Sequence, residues 1–265
     1  MGPAKATLPW HGSTLVRRVA GIVARGVEGP VVIVRSPGQT LPDLPPAFEV
    51  LDDLEEGHGP LAGLSVGLRA LDGRCETTYV SSTDVPFLHP AFVRRVMSSL
   101  DADSDACVPM VRGFRQPLAA AYRTGLAPLV TSLVEKGHLR VSLLLEACRV
   151  KELDEKVLLD DHALASLDPG LDSVTNLNDP QQYDAARARP EPRVQVHWPD
   201  GAGALDAGGS FTAVRATTVA RAARAVGLEL SRHLVVTLNG FELGDDPEEP
   251  LAEGDVVRFR ADTKP

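Results

Sequence analysis

The stretch "TTYVSSTDVPF" at residues 77–87 decides the fold, because it joins a strand pattern directly to a carboxylate. Its β-branched and aromatic residues predict a strand over 77–82. Asp84 follows that strand, so we expect it at the carboxyl end of a sheet, where open α/β folds bind their ligands. A carboxylate there suits Mg²⁺, which takes oxygen ligands and is commonly bound by a protein carboxylate together with substrate phosphates. The alternative role for Asp84 is a helix cap ahead of Pro86.

The segments around this strand repeat a strand–helix order. The apolar run "VVIV" at 31–34 is typical of a strand buried on both faces. Apolar residues at helical spacing predict helices over 13–26, with Ser13 as a candidate cap, and over 89–100. A third helix is predicted from Gly59. Strands that alternate with helices predict an α/β domain with a doubly wound, mostly parallel sheet covered on both faces.

The pattern changes after residue 187. Prolines among charged residues predict a linker at 188–192, between a domain over 1–187 and a second domain over 193–265. The second domain has the order strand, strand, helix, strand, strand, which predicts a small α+β unit whose helix is capped by Thr217 or Thr218. The glycine-rich stretch at 201–210 is interpreted as a hairpin turn rather than a phosphate cradle, since no helix follows it directly.

Composition excludes several classes of protein. The net charge is −9, without the basic excess of a nucleic-acid-binding protein. No apolar run of membrane-spanning length and no secretion signal is present, so neither a membrane segment nor export is expected. Three widely spaced cysteines without a C-x-x-C pair predict reduced thiols in the cytoplasm. Neither a zinc-type histidine spacing nor a G-x-S-x-G elbow occurs, which argues against zinc enzymes and hydrolases.

Further candidate site residues lie near predicted element ends. Gly59 and Gly63 stand at a helix start, where free backbone N–H groups favour an anion or a polar ring edge, although a tight turn is an equal alternative. Gln116 and Arg123 are candidates for the substrate side at the sheet edge. The remaining candidates are two alternating asparagines that point the same way in an extended segment, Asn176 and Asn178.

Five stretches together resemble the molybdenum cofactor guanylyltransferases of the MobA type. In chain order they are "MGPAKATLPW" (1–10), "DDLEEGHGPLAG" (52–63), "STDVPF" (82–87), "RQPLAAAYR" (115–123) and "NLNDP" (176–180). They keep the order of that family and span roughly residues 1–190. No single stretch is specific, but five in register are, and "GPLAG" is the main pointer to guanine rather than cytosine.

The resemblance implies that a phosphate of molybdopterin attacks the α-phosphorus of GTP and that pyrophosphate leaves. It implies that Gly2 and Lys5 hold the triphosphate and that Asp84 binds Mg²⁺. It assigns the nucleotide to Asp52 and to Gly59, Pro60 and Gly63. It assigns the pterin side to Gln116, Arg123 and Asn176, and the metal or pterin side to Asn178. The alternatives are a cytidylyl- or other nucleotidyltransferase on the same fold, and a degenerate transferase that acts as a scaffold.

The second domain resembles the β-grasp sulfur-carrier proteins of molybdopterin and thiamine synthesis. The resemblance rests on "TTVARAARAVGL" (217–228), "LVVTLNG" (234–240) and "PLAEGDVVRFRA" (250–261). Sulfur carriers end in Gly-Gly, whereas this chain ends in "ADTKP", so carrier chemistry is not expected. We expect instead that this domain docks other molybdopterin-synthesis proteins.

The resemblance also implies a strand and a glycine-rich turn ahead of Gly2. In a doubly wound sheet such a first strand is central, so two neighbouring strands would face a gap without it. The expectation from the sequence is therefore that Met1 corresponds to an internal residue of the family pattern, and that a chain starting there has little activity.

Overall fold

The computed structural model describes residues 5–53, 59–198, 211–231 and 234–261. They form two units in sequence: the first ends with a helix at Arg187, and the second begins with a strand at Arg193. In these four ranges, no helix is both long enough and apolar enough to cross a membrane.

The first unit alternates strands with helices, as expected for an α/β domain. Its strands are β1 (Pro9–Trp10), β2 (Ser13–Thr14), β3 (Val31–Arg35), β4 (Phe48–Asp52), β5 (Thr77–Ser81), β6 (Ala106–Val111), β7 (Phe114–Arg115), β8 (Ala119–Arg123) and β9 (Val150–Leu153). Its helices are α1 (Leu15–Gly26), α2 (Gly59–Leu71), α3 (Pro90–Ser98), α4 (Ala127–Glu135), α5 (Val141–Glu146), α6 (Glu155–Leu159), α7 (His162–Leu167) and α8 (Pro180–Arg187).

The start of α1 differs from the prediction. Ser13 lies in the short hairpin of β1 and β2 and does not cap the helix. Thr14 occupies the cap position, without a side-chain cap hydrogen bond. The Ser13 hydroxyl donates to Glu248 of the second unit, at 2.9 Å, because the second unit lies against this hairpin. A contact of such long sequence separation cannot be read from local spacing.

β8 and the two-residue strand β7 depart from the mostly parallel arrangement expected for the sheet of the first unit. The β3–β4 and β6–β9 pairs are parallel, whereas β8 pairs antiparallel with both β5 and β6. The physical reason is the length of the connection. Only residues 112–118 separate β6 from β8, and a parallel crossover needs a dozen residues or more.

A crevice separates the two groups of strands in the first unit. β3 pairs only with β4, and β5 pairs only with β8, among the residues that the structure describes. The free edges of β3 and β5 line the same cavity of about 360 Å³, together with side chains of α1 and α2. The starts of the two strands, at Val31 and Thr77, line a second cavity together, so the strands run in the same direction.

The second unit is a mixed five-stranded sheet crossed by one helix. Its elements are β10 (Arg193–His197), β11 (Phe211–Arg215), α9 (Val219–Ala225), β12 (Leu234–Leu238), β13 (Phe241–Glu242) and β14 (Val256–Ala261). The strand order is β11-β10-β14-β12-β13, with β10 and β14 parallel at the centre. The predicted order of two strands, a helix and two strands is observed, with β13 as an additional two-residue strand. Although β10 and β11 pair antiparallel, the predicted turn at 201–210 lies outside the described residues.

Apolar packing holds α9 on this sheet. Val219, Ala222 and Ala223 of the helix belong to one buried cluster with Val194 and Phe259 of the central strands. Of the two candidate caps, Thr218 caps the helix by accepting from the backbone N–H of Arg221. The Thr217 hydroxyl instead donates to a carbonyl of the first unit.

Candidate active site

Asp84 lies in the turn that follows β5, at the edge predicted from the sequence. It does not cap α3, because the N-cap of that helix is His89, whose Nδ1 accepts from the backbone N–H of Ala91 at 3.1 Å. The alternative role of Asp84 as a cap is therefore not what the geometry shows. Its side chain is free to face the cleft at the end of the sheet.

Lys5 joins three segments at this edge. Its Nζ lies 3.2 Å from Oδ2 of Asp84 and 3.1 Å from the carbonyl oxygen of Leu177. The backbone N–H of Leu177 in turn donates to the carbonyl of Asp84, at 2.9 Å. Both charged side chains are partly exposed, and we therefore expect a phosphate or a cation to reach them. The geometry thus brings together the predicted phosphate ligand and the predicted metal ligand.

The Asp84 carboxylate has an unsatisfied oxygen. Oδ1 is buried and has no hydrogen-bond partner among the described residues, although a buried carboxylate oxygen is costly to leave unpaired. Asn176 and Asn178 line the same cleft and offer further oxygen atoms. This donor set fits Mg²⁺, a hard cation that prefers oxygen. Throughout the described ranges there is no cluster of three His, Cys, Asp or Glu residues, so the ion would share phosphate oxygens of a substrate.

The cleft has a volume of about 340 Å³ and is lined by most of the residues predicted to contact the pterin substrate. It is lined by Ser82, Asp84, Val85, Arg115, Gln116, Pro117, Leu118, Ala119, Val174, Asn176 and Asn178. The Ser82 hydroxyl donates to Oδ1 of Asn176 across the cleft, at 3.4 Å. Sequence reasoning missed Ser82, whose position directly after β5 was the available signal.

Arg123 does not join this group. β8 runs antiparallel to β5, so Arg123 pairs with Thr77 at the beginning of β5, far along the strand from Asp84. Its guanidinium donates to the carbonyls of Ser104 and Asp101. The geometry thus gives Arg123 a structural role, and the pterin-side candidates that remain in the cleft are Gln116, Asn176 and Asn178.

The "GPLAG" stretch forms the first turns of α2. Gly59 has φ +71°, and a Cβ at this position would lie 3.1 Å from the carbonyl oxygen of Leu139, so the helix start requires glycine. Pro60 and Gly63 line the crevice between β3 and β5 rather than the cleft of Asp84. The predicted nucleotide residues therefore flank a neighbouring cavity, which also contains Ser82.

The two carboxylates after β4 have different surroundings. Asp52 is ion-paired with Arg35, at 2.7 Å, and points to an exposed surface. Oδ2 of the next residue, Asp53, lies 3.6 Å from where a Cβ of Gly63 would be. Asp53 is thus nearer to the start of α2 than the predicted Asp52. Sequence reasoning could not separate these adjacent residues, because they lie at the end of the strand. Gly2 lies outside the described residues.

Residues 1–156 match the family model of the MobA-like NTP transferase domain, which covers more than half of the chain. The chain belongs to this MobA-like family. It is therefore a nucleotidyltransferase, as predicted from the five stretches, and we call the first unit the transferase domain. The family match ends before the second unit begins.

Curated relatives of the chain carry the name of a specific nucleotidyltransferase. A probable molybdenum cofactor guanylyltransferase of Mycobacterium tuberculosis is 34% identical over 174 residues, which cover 63% of this chain and 85% of that protein. A probable molybdenum cofactor guanylyltransferase of Bacillus cytotoxicus is 27% identical over 156 residues, covering 57% of this chain and 75% of that protein.

Solved structures confirm the α/β fold of the transferase domain. The molybdopterin-guanine dinucleotide biosynthesis protein A of Archaeoglobus fulgidus superposes with a TM-score of 0.54 at 22% identity, covering 69% of this chain and 88% of that one. A 4-diphosphocytidyl-2C-methyl-D-erythritol synthase gives a TM-score of 0.52 at 16% identity, with 69% and 93% covered. At these identities the likeness concerns the fold alone.

Proposed function

We propose that this protein transfers GMP from GTP to the terminal phosphate of molybdopterin and releases pyrophosphate. The observation that carries the proposal is the buried Oδ1 of Asp84, which has no hydrogen-bond partner among the described residues. Asp84 lines the cleft at the end of β5, and its other carboxylate oxygen contacts Lys5. A carboxylate and a lysine at this edge suit a substrate with several phosphates. The curated relatives that bear the name guanylyltransferase support GTP as the nucleotide.

The reaction needs positioning and charge neutralisation rather than a covalent protein intermediate. A phosphate oxygen of molybdopterin forms a bond to the α-phosphorus, while the bond from that phosphorus to the bridging oxygen breaks. Pyrophosphate takes the bonding electron pair. Lys5 would neutralise charge on the triphosphate, since its ammonium lies 3.2 Å from the carboxylate of Asp84.

Asp84, with Asn176 and Asn178, would hold Mg²⁺. The bound ion would neutralise the phosphates and orient them for displacement. Oδ1 of Asp84, which has no hydrogen-bond partner among the described residues, would be the oxygen available to the cation. Asn176 is already oriented by Ser82.

The start of α2 would hold the guanine. A helix N-terminus presents free N–H groups, and the Gly63 position leaves room beside it. Asp53 adds a carboxylate that can accept from the ring N–H and amino groups of guanine, whereas cytosine lacks a ring N–H at the matching position. Asp52 would act through its ion pair with Arg35 at the end of the strand.

An Asp84→Ala variant tests the proposal. We expect it to abolish Mg²⁺-dependent incorporation of radiolabelled GMP into molybdopterin. The control is Asp101→Ala, which removes a carboxylate that is also paired with a lysine, Lys151, but far from the cleft. Equal GMP incorporation by the two variants would rule out the metal role. Faster incorporation of CMP than of GMP by the unaltered protein would favour the cytidylyltransferase alternative.

We also propose that one extended apolar strand completes the sheet between β3 and β5. Two parallel strands with free edges and an apolar lining from α1 and α2 support this proposal. The family resemblance puts such a strand before Gly2. An added amino-terminal segment with an apolar strand and a glycine-rich turn should protect the β3 and β5 amides from hydrogen exchange. A same-length segment with serine in place of the apolar residues is the control, and equal protection by both would refute the proposal.

For the second unit we propose a docking role in cofactor assembly. Two strands, a helix and further strands follow one another along the chain as predicted for this unit, and α9 packs across the sheet, which supports the proposal. Phe241 is 78% exposed at the β12–β13 turn and is the candidate contact. Loss of binding to molybdopterin-synthesis proteins in Phe241→Ser, with unchanged thermal stability, would support docking. Retained binding of every such protein would contradict it.

A further inference from the structure

The second unit is fastened to α1 by one segment, Asp246–Asp255, which we call the strap. Arg25 of α1 donates to the carbonyl of Pro250 at 2.8 Å and to Asp255 at 2.5 Å. The ring of Pro250 packs on Gly21, where a Cβ would lie 2.5 Å from Cγ of that proline. Glycine at this position is what lets the strap approach the helix so closely.

The hairpin before α1 is held by the same unit. The Thr217 hydroxyl donates to the carbonyl of His11 at 3.0 Å, and Ser13 donates to Glu248 of the strap. The two units are therefore connected by these hydrogen bonds as well as by the linker at 188–192. A shared surface runs along α1 and continues into the hairpin that follows Lys5.

Arg18 lies at the centre of this surface and is only 6% exposed. Its guanidinium donates to the carbonyl of Leu251 in the strap, at 3.1 Å, and to the carbonyl of Pro86 in the transferase domain. Burial lowers the pKa of Arg18 to about 10, so the side chain still carries its charge at neutral pH. Arginine suits this place because its planar fork can donate in two directions at once.

The carbonyl of Pro86 belongs to the turn that carries Asp84. The intervening Val85 is buried, and its carbonyl accepts from the backbone N–H of Leu88. The turn is therefore held on both sides: Lys5 contacts it from the cleft and Arg18 contacts it from the interface. A shift of Arg18 would be transmitted over two residues to the carboxylate.

We propose that Arg18 is a positioning residue for Asp84 and that the strap is the part of the second unit that fixes Arg18. The inference rests on the proposed role of Asp84 as a metal ligand. If Arg18 positions Asp84, the second unit contributes to the transfer reaction, because the carbonyl of Leu251 in the strap accepts a hydrogen bond from Arg18. Residues that orient a ligand in this way commonly change metal affinity by about 10- to 100-fold when they are replaced.

The decisive comparison is Arg18→Lys with Arg17→Lys in the full chain. Both variants keep the charge on α1, and both residues contact the second unit, but only Arg18 reaches the turn of Asp84. The measurements are Mn²⁺ affinity in the presence of GTP, by electron paramagnetic resonance, and hydrogen exchange of the amides at 83–88. We expect Arg18→Lys to weaken Mn²⁺ binding about tenfold and to speed exchange in the turn. Arg17→Lys should leave both unchanged.

A second pair of variants tests the strap without touching Arg18. Gly21→Ala pushes a methyl group against Pro250, whereas Gly26→Ala pushes one equally close against Val93 of α3. If the strap positions Arg18, Gly21→Ala weakens Mn²⁺ binding and Gly26→Ala does not, even when both lower the thermal midpoint. Equal Mn²⁺ affinities in the two variants would overturn the role of the strap.

The outcomes also separate this inference from the proposed function. A protein that binds Mn²⁺ but transfers no GMP would refute the function, and the two lysine variants would still decide whether Arg18 positions Asp84. Equal Mn²⁺ affinities of Arg18→Lys and Arg17→Lys would refute the positioning role while GMP transfer by the unaltered protein stood. A protein that binds no Mn²⁺ with GTP would refute both.

Discussion

The two faces of α1 meet different surroundings. On one face Arg17, Arg18 and Arg25 are bonded to the strap and its neighbours. On the other face Val16 and Val19 line the crevice between β3 and β5. The helix is thus bonded to the second unit on one face, while on the other its buried valines border a cavity. The second unit is therefore anchored on the transferase domain through side chains of α1, whereas the edges of β3 and β5 that face the crevice have no partner strand among the residues that the structure describes.

The largest effect should come from the polar face. Arg25→Ala removes the positive charge that pairs with Asp255. The side chain of Asp255 is only 5% exposed, so its carboxylate would stay buried without this partner. Removing one partner of a buried ion pair typically costs about 3–5 kcal/mol. We expect a loss near the lower end of this range in urea unfolding, because Asn239 also donates to Asp255.

The control for this prediction is an exposed ion pair. Arg35→Ala removes the partner of Asp52, whose side chain is 53% exposed. Surface pairs contribute about 1 kcal/mol or less. Losses of the same size in Arg25→Ala and Arg35→Ala would mean that the interface is not a buried structural contact.

The interface also accounts for what the sequence did and did not predict. Asp84 and Lys5 follow local patterns or the family resemblance, and the structure brings them into contact. Ser13 and Thr217 each look like a helix cap from local spacing, yet both hydroxyls bond across the interface. Local spacing describes neighbours along the chain, so contacts between residues about two hundred positions apart are beyond it.

The same limit of local patterns applies to the direction in which β8 pairs. The strand and helix positions follow from apolar periodicity, and most were predicted. β8 pairs antiparallel between β5 and β6 because the connection at 112–118 is short, and apolar periodicity does not indicate the direction of a strand. Arg123 was therefore expected at the cleft, although the antiparallel course of β8 takes it to the other end.

A smaller effect should appear as pH dependence of the interface. Glu249 of the strap has its pKa raised to about 7, first by burial and then by the carboxylates of Asp246 and Asp255, against the opposing charges of Arg25 and Arg17. A raised pKa means that the folded state binds the proton more tightly than the unfolded state. The stabilisation that the protonated Glu249 contributes to the folded state is complete below about pH 4.5 and is lost as pH rises through 7.

Between pH 6 and pH 8 we expect the free energy of unfolding to fall by roughly 1 kcal/mol because of this one carboxyl group, since a shift of one pKa unit corresponds to about 1.4 kcal/mol. Glu249→Gln keeps the shape of the side chain and should flatten the profile over this range. Urea unfolding of both proteins at several pH values measures the difference. Parallel profiles for the two proteins would show that Glu249 does not titrate at the interface.

The smallest effect should come from the crevice face, at Gly67 of α2. A Cβ there would lie 3.8 Å from the nearest atom, on Val34, so Gly67→Ala has room and removes the entropic disadvantage of glycine in a helix. We expect a gain of about 0.5–1 kcal/mol in the free energy of unfolding. The same substitution should be neutral or unfavourable once an added strand lies against α2, because glycine permits the close approach of helix and strand. An equal gain with and without the added strand would place that strand elsewhere than between β3 and β5.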